Sequence, residues 1–197
     1  MKKLFTFFVL FGAMAFVIGC HSGDGTGASS SNDTLYNDSI QGVFFDTPFG
    51  ASREILISNF LNHGLAVIND YSTNEEIHFY PINGNLFSFG NMTWEMVDVL
   101  LSNGKFCVIR FQNAGNDKAE ALNDYDYVLS KVSAKYKMSE SEIQDTTVYK
   151  ASYGVSKNNR VVSVRCYRYE SFSKKIMQGV ELRYRDDNIA NKVSDEL

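Results

Sequence analysis

Three short turn signals do most to limit what this chain can fold into. They are Asn83-Gly84, Gly90-Asn91 and Asn103-Gly104, and each stands between two apolar runs. Pairs of Asn and Gly favour the positive φ angles that two-residue β-hairpin turns require. The flanking runs are therefore predicted to be strands joined as hairpins, at residues 77–82, 86–89, 93–101 and 105–112. Consecutive hairpins predict an antiparallel sheet.

Two segments have the apolar spacing of amphipathic helices. The first follows Ser52, a residue type that favours the N-cap position, and ends near Gly64. The second begins at Asp117, whose spacing to Glu120 is that of a capping box. Its apolar stripe consists of Leu122, Tyr125, Val128, Leu129, Val132 and Tyr136.

The order of elements predicts the fold class. A short strand at residues 41–45 precedes the first helix, and three strands follow the second helix, at residues 147–153, 160–169 and 176–185. Strands grouped after each helix indicate an α+β fold with an antiparallel sheet or sheets and two main helices. The order is also compatible with two halves, each a helix followed by a β-meander. We assign residues 41–188 to one domain and residues 189–197 to a polar C-terminal tail.

The N-terminus has the pattern of a lipoprotein signal peptide. Lys2 and Lys3 precede a short apolar segment, which ends in Val17-Ile18-Gly19-Cys20. This ending resembles the bacterial lipobox, in which a small residue precedes the cysteine that is lipidated. We therefore expect residues 1–19 to be removed and Cys20 to carry the lipid. The alternative is a signal peptide that is cut elsewhere.

The residues after Cys20 are predicted to form a flexible tether. Residues 20–40 are rich in Gly, Ser, Asn, Asp and Thr, and they hold too few apolar residues to offset the entropy of ordering. Thr34 and Ser39 each follow an aspartate and precede an apolar residue, which resembles the O-glycosylation sequon of Bacteroidetes. Chance occurrence in a linker of this composition is the equal alternative.

Cys107 and Cys166 remain for the domain, and both lie in predicted strands. An oxidising periplasm would permit a disulfide between them. Two separate buried thiols are the other reading, because free cysteine behaves as a small core residue.

The sequence contains no pattern that specifies catalysis. The Ser171–Lys174 spacing matches S-x-x-K, but it falls in a predicted hairpin turn rather than at the start of a helix. A site built from Cys107, His78 and an aspartate rests on residue types alone. We therefore expect no catalytic residues, no metal site and no cofactor, and we predict that the protein is not an enzyme.

The most suggestive surface interleaves arginine with tyrosine. Its residues lie on two predicted strands and are Arg165, Tyr167, Tyr169, Arg183 and Arg185. Tyrosine rings beside guanidinium groups could bind a glycan or another acidic ligand. The alternative is ordinary cross-strand pairing on a solvated sheet face.

Several short motifs carry a resemblance that covers most of the domain. They are Gly42-Val43-Phe44, Thr47-Pro48-Phe49-Gly50, Gly64, Tyr125-x-x-x-Leu129, Lys135-Tyr136 and Val180-Glu-Leu-Arg-Tyr184. In these the chain resembles a set of small Bacteroides lipoproteins and secreted proteins of unknown function. At the level of fold, the two helix-plus-meander halves also resemble the β-lactamase-inhibitor-protein arrangement. Neither resemblance implies a catalytic residue, and a fold alone does not give a function.

Together these features predict a lipoprotein of the bacterial cell envelope, anchored to the outer membrane and either periplasmic or surface-exposed. No acidic residue follows Cys20 at the second position, which favours the outer membrane. Loss of Lys2 and Lys3 would move the formal charge from −4 to about −6, which argues against a nucleic-acid partner. We expect a non-enzymatic module that binds a glycan or a protein. The alternatives are an inhibitor- or assembly-type protein with one protein partner and, third, an unrecognised hydrolase.

Overall fold

The computed structural model describes residues 36–69, 71–84, 86–171 and 173–191. None of the helices in these ranges is long and apolar enough to span a membrane. The helices are α1 (Arg53–Asn62), α2 (Lys118–Ser133) and α3 (Asp187–Ala190). The strands of the first half are β1 (Val43–Phe44), β2 (Thr47–Pro48), β3 (Leu65–Val67), β4 (Glu76–Pro81), β5 (Phe87–Phe89), β6 (Met92–Trp94), β7 (Met96–Ser102) and β8 (Lys105–Gly115). Those of the second half are β9 (Ser139–Glu140), β10 (Val148–Val155), β11 (Arg160–Glu170) and β12 (Ile176–Asp186).

The main sheet has eight strands in the order β3-β4-β7-β8-β12-β11-β10-β9, and every neighbouring pair is antiparallel. The predicted α+β class with two main helices is therefore confirmed. Each main helix is followed by four strands of this sheet in meander order. The two halves meet where β8 pairs with β12, so the centre of the sheet joins the last strand of each half.

Two of the three predicted hairpin turns occur where the Asn and Gly residues stand; the hairpin predicted at Asn83-Gly84 was wrong, because β4 and β5 lie in different sheets. Asn103 and Gly104 both have positive φ angles, 49° and 71°, and they join β7 to β8. This pair of angles is the one that a two-residue turn needs to match the twist of its strands. Gly90 and Asn91 have the same sign of φ between β5 and β6.

One predicted strand, residues 93–101, is divided in the structure. β6 pairs with β5 in a separate two-stranded sheet, whereas β7 belongs to the main sheet. The corner lies at Glu95 and is held by the Asn113 side chain. Asn113 Oδ1 accepts from Glu95 N at 2.9 Å, and Asn113 Nδ2 donates to Thr93 O at 2.9 Å. A side-chain bridge of this kind leaves no periodic signal in the sequence, which is why the corner was not predicted.

The two main helices pack on the same face of the main sheet and enclose one core. Leu56 and Phe60 of α1 and the apolar stripe of α2 contact the alternate residues of the strands beneath them. Asp117 caps α2 by accepting from Glu120 N at 2.9 Å, as predicted. Ser52 occupies the N-cap position of α1, but its side chain makes no capping hydrogen bond.

The ordered domain begins before residue 41, the predicted boundary. Asn37 is only 6% exposed, and its side chain bonds to the backbone of Lys137 and Val155. Ile40 is buried in the core. Residues 36–40 therefore belong to the domain, although their polar composition assigned them to the tether. The composition was misleading because Asn37 is buried through hydrogen bonds rather than through apolar contact.

Cys107 and Cys166 are both free thiols, so the disulfide alternative was wrong. Cys166 lies in the core on the helix side of the sheet. Cys107 lies beside Arg183 and Arg185, whose side chains are on the other side. Opposite faces of a sheet cannot be joined by a disulfide, and β12 also stands between the two strands that carry these cysteines.

Candidate functional site

The face of the main sheet opposite the helices is strongly polar, and we call it the polar sheet face. Strand register places its side chains side by side across five strands. Its residues are Glu76, His78, Asp98, Arg110, Gln112, Ser163, Arg165, Tyr167, Tyr169, Glu181, Arg183 and Arg185. One row of directly paired residues crosses the sheet as His78, Asp98, Arg110, Arg183 and Ser163.

Asp98 is the centre of the first group on this face. Its carboxylate is nearly buried, with 5% of the side chain exposed. Asp98 Oδ1 lies 2.6 Å from His78 Nδ1. Asp98 Oδ2 accepts from Gln112 Nε2 and lies 3.3 Å from Arg110 Nη2. Arg110 also donates to Glu76, so this group is a connected network in which each charge has a bonded partner.

The hydrogen bond that His78 donates to the Asp98 carboxylate raises the pKa of His78 above its ordinary value, because it stabilises the protonated imidazole. The charge of Glu76 acts in the same direction. Burial and the Arg110 guanidinium oppose the shift.

This raised pKa predicts a pH-dependent stability. The stabilisation from protonated His78 is fully present below the pKa of an unfolded histidine, about 6.5, and is lost as pH rises through the higher folded pKa. We therefore expect urea unfolding between pH 5 and pH 9 to show wild-type stability falling relative to His78→Gln as pH rises. In Asp98→Asn, NMR titration should show the pKa of His78 moving down. An unchanged titration in Asp98→Asn would show that Asp98 is not the cause.

Glu76, His78 and Asp98 are also a geometric candidate for a metal site, since one ligand atom from each lies within 4.8 Å of the others. The Arg110 guanidinium bonds to both carboxylates, however, and so supplies the positive charge that a metal would bring. The chemistry of this donor set therefore fits an internal ion-pair network better than a cation site.

The structure brings all five residues of the predicted arginine–tyrosine surface onto the polar sheet face. Arg165 donates to Glu181 at 2.9 Å, and its guanidinium lies 4.7 Å from the centre of the Tyr167 ring. Tyr167 and Tyr169 are neighbours, with ring centres 5.9 Å apart, and Tyr169 is 38% exposed. Thus a guanidinium and two rings lie in sequence along β11.

Gly179 on the neighbouring strand makes room for Tyr167. A Cβ atom at Gly179 would lie 2.7 Å from the ring of Tyr167, closer than van der Waals contact allows. The Tyr167 hydroxyl donates to Gln112 Oε1 at 3.3 Å, and burial raises its pKa. The ring is therefore held at one end by Gln112 and lies against bare backbone, which fixes its orientation.

The remaining two arginines of the predicted surface differ from each other. Arg185 pairs with Asp187 and donates to Asn191 Oδ1 at 2.7 Å. Arg183 lies between Arg110 and Ser163 in the row, and its side chain forms no hydrogen bond or ion pair with a described residue. Burial lowers the pKa of Arg183; the charge of Glu181 opposes this shift, and the charges of the neighbouring arginines add to it.

The two possible nucleophiles considered from the sequence, Cys107 and Ser171, do not form a catalytic site with these residues. Cys107 donates to the backbone oxygen of Leu100 at 3.4 Å, and burial raises the pKa of its thiol to about 11. A thiol with that pKa is protonated at neutral pH and is a poor nucleophile. Ser171 and Lys174 lie in the turn between β11 and β12, as predicted.

A cavity of about 290 Å³ lies on the other side of the sheet, between α2 and β12. Its wall is formed mainly by Phe89, Met92, Val132, Leu182 and Tyr184. No histidine or carboxylate is among the described residues that line it. This cavity therefore carries none of the predicted site residues, and the ionisable side chains that line it are Lys131, Lys135, Tyr136 and Tyr184.

Sequence reasoning missed the group around Asp98. Two signals could have found it: Glu76-x-His78 places two ionisable residues on one face of a strand, and Asp98 interrupts the apolar run of β7. An aspartate inside such a run is buried only if it is paired. Neither signal shows that Gln112 and Arg110 are the partners, because that depends on the exact register of the β7–β8 hairpin.

No family model matches the sequence, and no curated protein or solved structure matches it either. The resemblance to small Bacteroides lipoproteins therefore stays a prediction. Cys20 and Thr34 lie outside the described residues, whereas Ser39 is described and exposed.

Proposed function

We propose that this protein is a lipid-anchored lipoprotein of the bacterial cell envelope and that it binds a glycan, without catalysis, through the polar sheet face. The observation that carries the proposal is the ordered series of Arg165, Tyr167 and Tyr169 along β11. Rings that are already oriented by packing lose little entropy when a ligand stacks on them. Tyrosine adds a hydroxyl to an apolar ring face, which suits ligands that are polar at their edges.

The bonding of the polar sheet face supports binding rather than catalysis. Asp98 is already bonded to His78, Gln112 and Arg110, and Arg165 is bonded to Glu181 Oε2. Groups committed to one another are rigid and pre-organised. Such a surface can present fixed donors and rings to a ligand, while leaving few groups available to move protons.

The anchor part of the proposal is tested by Cys20→Ala. Labelling with palmitate and fractionation should place the wild-type protein in the membrane fraction with label, and Cys20→Ala in the soluble fraction without label. Protease treatment of intact cells then distinguishes the cell surface from the periplasm. Unchanged labelling of Cys20→Ala would overturn the assignment of Cys20 as the lipidated residue.

The glycan part is tested on an array of neutral and acidic oligosaccharides, with the soluble domain as the probe. We expect Tyr169→Ala to weaken binding about three- to tenfold, which corresponds to the 0.5–1.5 kcal/mol of an aromatic contact. Tyr127→Ala is the matched control, because Tyr127 is an exposed tyrosine on α2, on the other side of the sheet. A blank array would overturn the proposal and favour a protein ligand.

A further inference from the structure

We propose that Arg183 and Ser163 form an anion subsite on the polar sheet face, and that the ligand is an acidic polysaccharide whose carboxylate or sulfate group binds there. The inference rests on the proposed glycan-binding function and specifies its ligand class. It begins from a difference among the four arginines of this face. Arg110, Arg165 and Arg185 each bond to a carboxylate, whereas Arg183 has no hydrogen bond or ion pair within the described ranges.

Without a ligand, the unpaired charge of Arg183 lowers the stability of the folded protein. The guanidinium stays charged at all ordinary pH values and offers five N–H donors in a planar fork. A charge removed from water without a partner is unfavourable. The charge of Glu181 offsets part of this cost, whereas Arg110, Arg165 and Arg185 add to it because they repel the charge of Arg183. An oxyanion above Arg183 would relieve both effects.

Ser163 provides the second donor. It is the residue directly paired with Arg183 across the β11–β12 ladder, so the two side chains stand next to each other on the same face. The Ser163 side chain is partly exposed and has no hydrogen-bond partner among the residues described. A hydroxyl beside a guanidinium can complete the binding of a carboxylate or sulfate that the arginine holds by two bonds.

The nearest carboxylate does not block this subsite. Glu181 is two residues from Arg183 on the same strand face, and it is 1% exposed. Its Oε2 accepts from Arg165, and its Oε1 is buried without a partner. The negative charge of Glu181 is therefore beneath the surface and opposed by Arg165, while the guanidinium layer lies nearer to a ligand.

The alignment of the subsite with the tyrosines favours a polysaccharide over a small anion. Ser163, Arg165, Tyr167 and Tyr169 point to the same side of β11, and the six-residue separation from Ser163 to Tyr169 spans about 20 Å. A free anion would fill only the Arg183 end. A chain of sugar rings with an acidic group would contact the arginine at one end and stack on Tyr169 at the other.

The experiment measures binding of three defined probes by calorimetry: oligogalacturonate, heparin oligosaccharides and a neutral cello-oligosaccharide. We expect one or both acidic probes to bind, with affinity falling as salt rises, and the neutral probe to bind at least tenfold more weakly. The first two probes distinguish a carboxylate from a sulfate ligand. Because the whole chain has a formal charge of −4, any attraction must come from a local cluster of arginines.

Arg183→Gln is expected to reduce acidic-probe affinity at least tenfold, and Ser163→Ala about threefold. Arg168→Gln is the matched control: Arg168 is exposed on β11 but faces the other side of the sheet, and its loss changes the net charge equally. Thermal unfolding checks the fold. Removal of an unpaired charge should leave the melting temperature of Arg183→Gln unchanged or higher.

Equal effects of Arg168→Gln and Arg183→Gln would overturn the subsite. If Tyr169→Ala weakens neutral-glycan binding while Arg183→Gln has no effect, the subsite fails and the proposed function stands. If no glycan binds, both fail. Binding to vesicles of phosphatidylglycerol that Arg183→Gln abolishes, without binding of the acidic probes, would assign the arginine to a lipid headgroup and overturn the polysaccharide ligand.

Discussion

Replacement of Phe111 by alanine is expected to lower the free energy of unfolding by about 3–5 kcal/mol, the usual range for loss of a buried aromatic ring. Phe111 is fully buried at the centre of β8. Its ring stacks on Phe89 with a centre-to-centre distance of 4.0 Å and lies 5.7 Å from the ring centre of Trp94. The cavity would open where the β5–β6 hairpin meets the main sheet, so neither sheet could close it alone. Urea denaturation followed by circular dichroism measures the effect.

Two further variants make the Phe111 result interpretable. Phe111→Leu retains part of the volume and should cost clearly less, which gives a value even if the alanine variant does not fold. Leu61→Ala on the exposed side of α1 should change stability by no more than about 0.5 kcal/mol, since Leu61 is 53% exposed. A cost for Phe111→Leu no greater than that for Leu61→Ala would show that Phe111 is not central to the core.

Replacement of Asp98 by alanine is expected to cost about 3–5 kcal/mol as well, for a different reason. Asp98 is bonded to three side chains, and its removal leaves the buried Arg110 guanidinium with only Glu76 as a carboxylate partner. Removing one member of a buried charge network lowers the free energy of unfolding by more than the intact network contributes to it. The remaining charge stays buried and cannot regain its water. The same urea denaturation experiment applies.

The chain contains a natural control for Asp98. Asp46 and His63 form another aspartate–histidine pair with a nitrogen–oxygen distance of 2.7 Å, but 84% of the Asp46 side chain is exposed. We expect Asp46→Asn to cost less than about 1 kcal/mol, as exposed pairs do. Asparagine is chosen because Asp46 has a φ of 59°, which asparagine tolerates. Equal costs for Asp46→Asn and Asp98→Asn would contradict a special role for burial at Asp98.

The hairpins and the long helix were predictable because their signals are local. Asn103 and Gly104 specify a turn by their own φ preferences, and Asp117 caps α2 only three residues from its partner. The corner at Glu95 was not predictable, since it depends on Asn113, which comes from another strand. The early start of the domain at Asn37 was missed for the same reason, as its partners are about 100 residues away.

The site was predictable in part. Alternation along β11 and β12 placed Arg165, Tyr167 and Tyr169 on one face, and antiparallel pairing put Arg183 and Arg185 on the same face, opposite Ser163 and Val161. Register decides which charges neutralise each other, and register across β8 and β12 joins segments that are far apart in sequence. For this reason the sequence could not show that, of the four arginines on the polar sheet face, Arg183 is the one without an ion pair to a described residue, or that Asp98 and His78 are bonded.

Asn37 has a mechanical consequence if Cys20 is the point of attachment. Its backbone bonds to Val155 and Lys157, and its side chain bonds to Val155 and Lys137, so one residue ties the incoming chain to β10 and to the segment after α2. Tyr36 is sixteen residues after Cys20, a reach of about 55 Å at full extension. Fluid drag or a bound polymer could pull on this segment. The pulling force would act on the hydrogen bonds of Asn37 before it acted on the core. Unfolding under force is controlled by the rate of the first rupture. The hydrogen bonds of Asn37 would thus bear the pulling force first and protect the core of the domain from it.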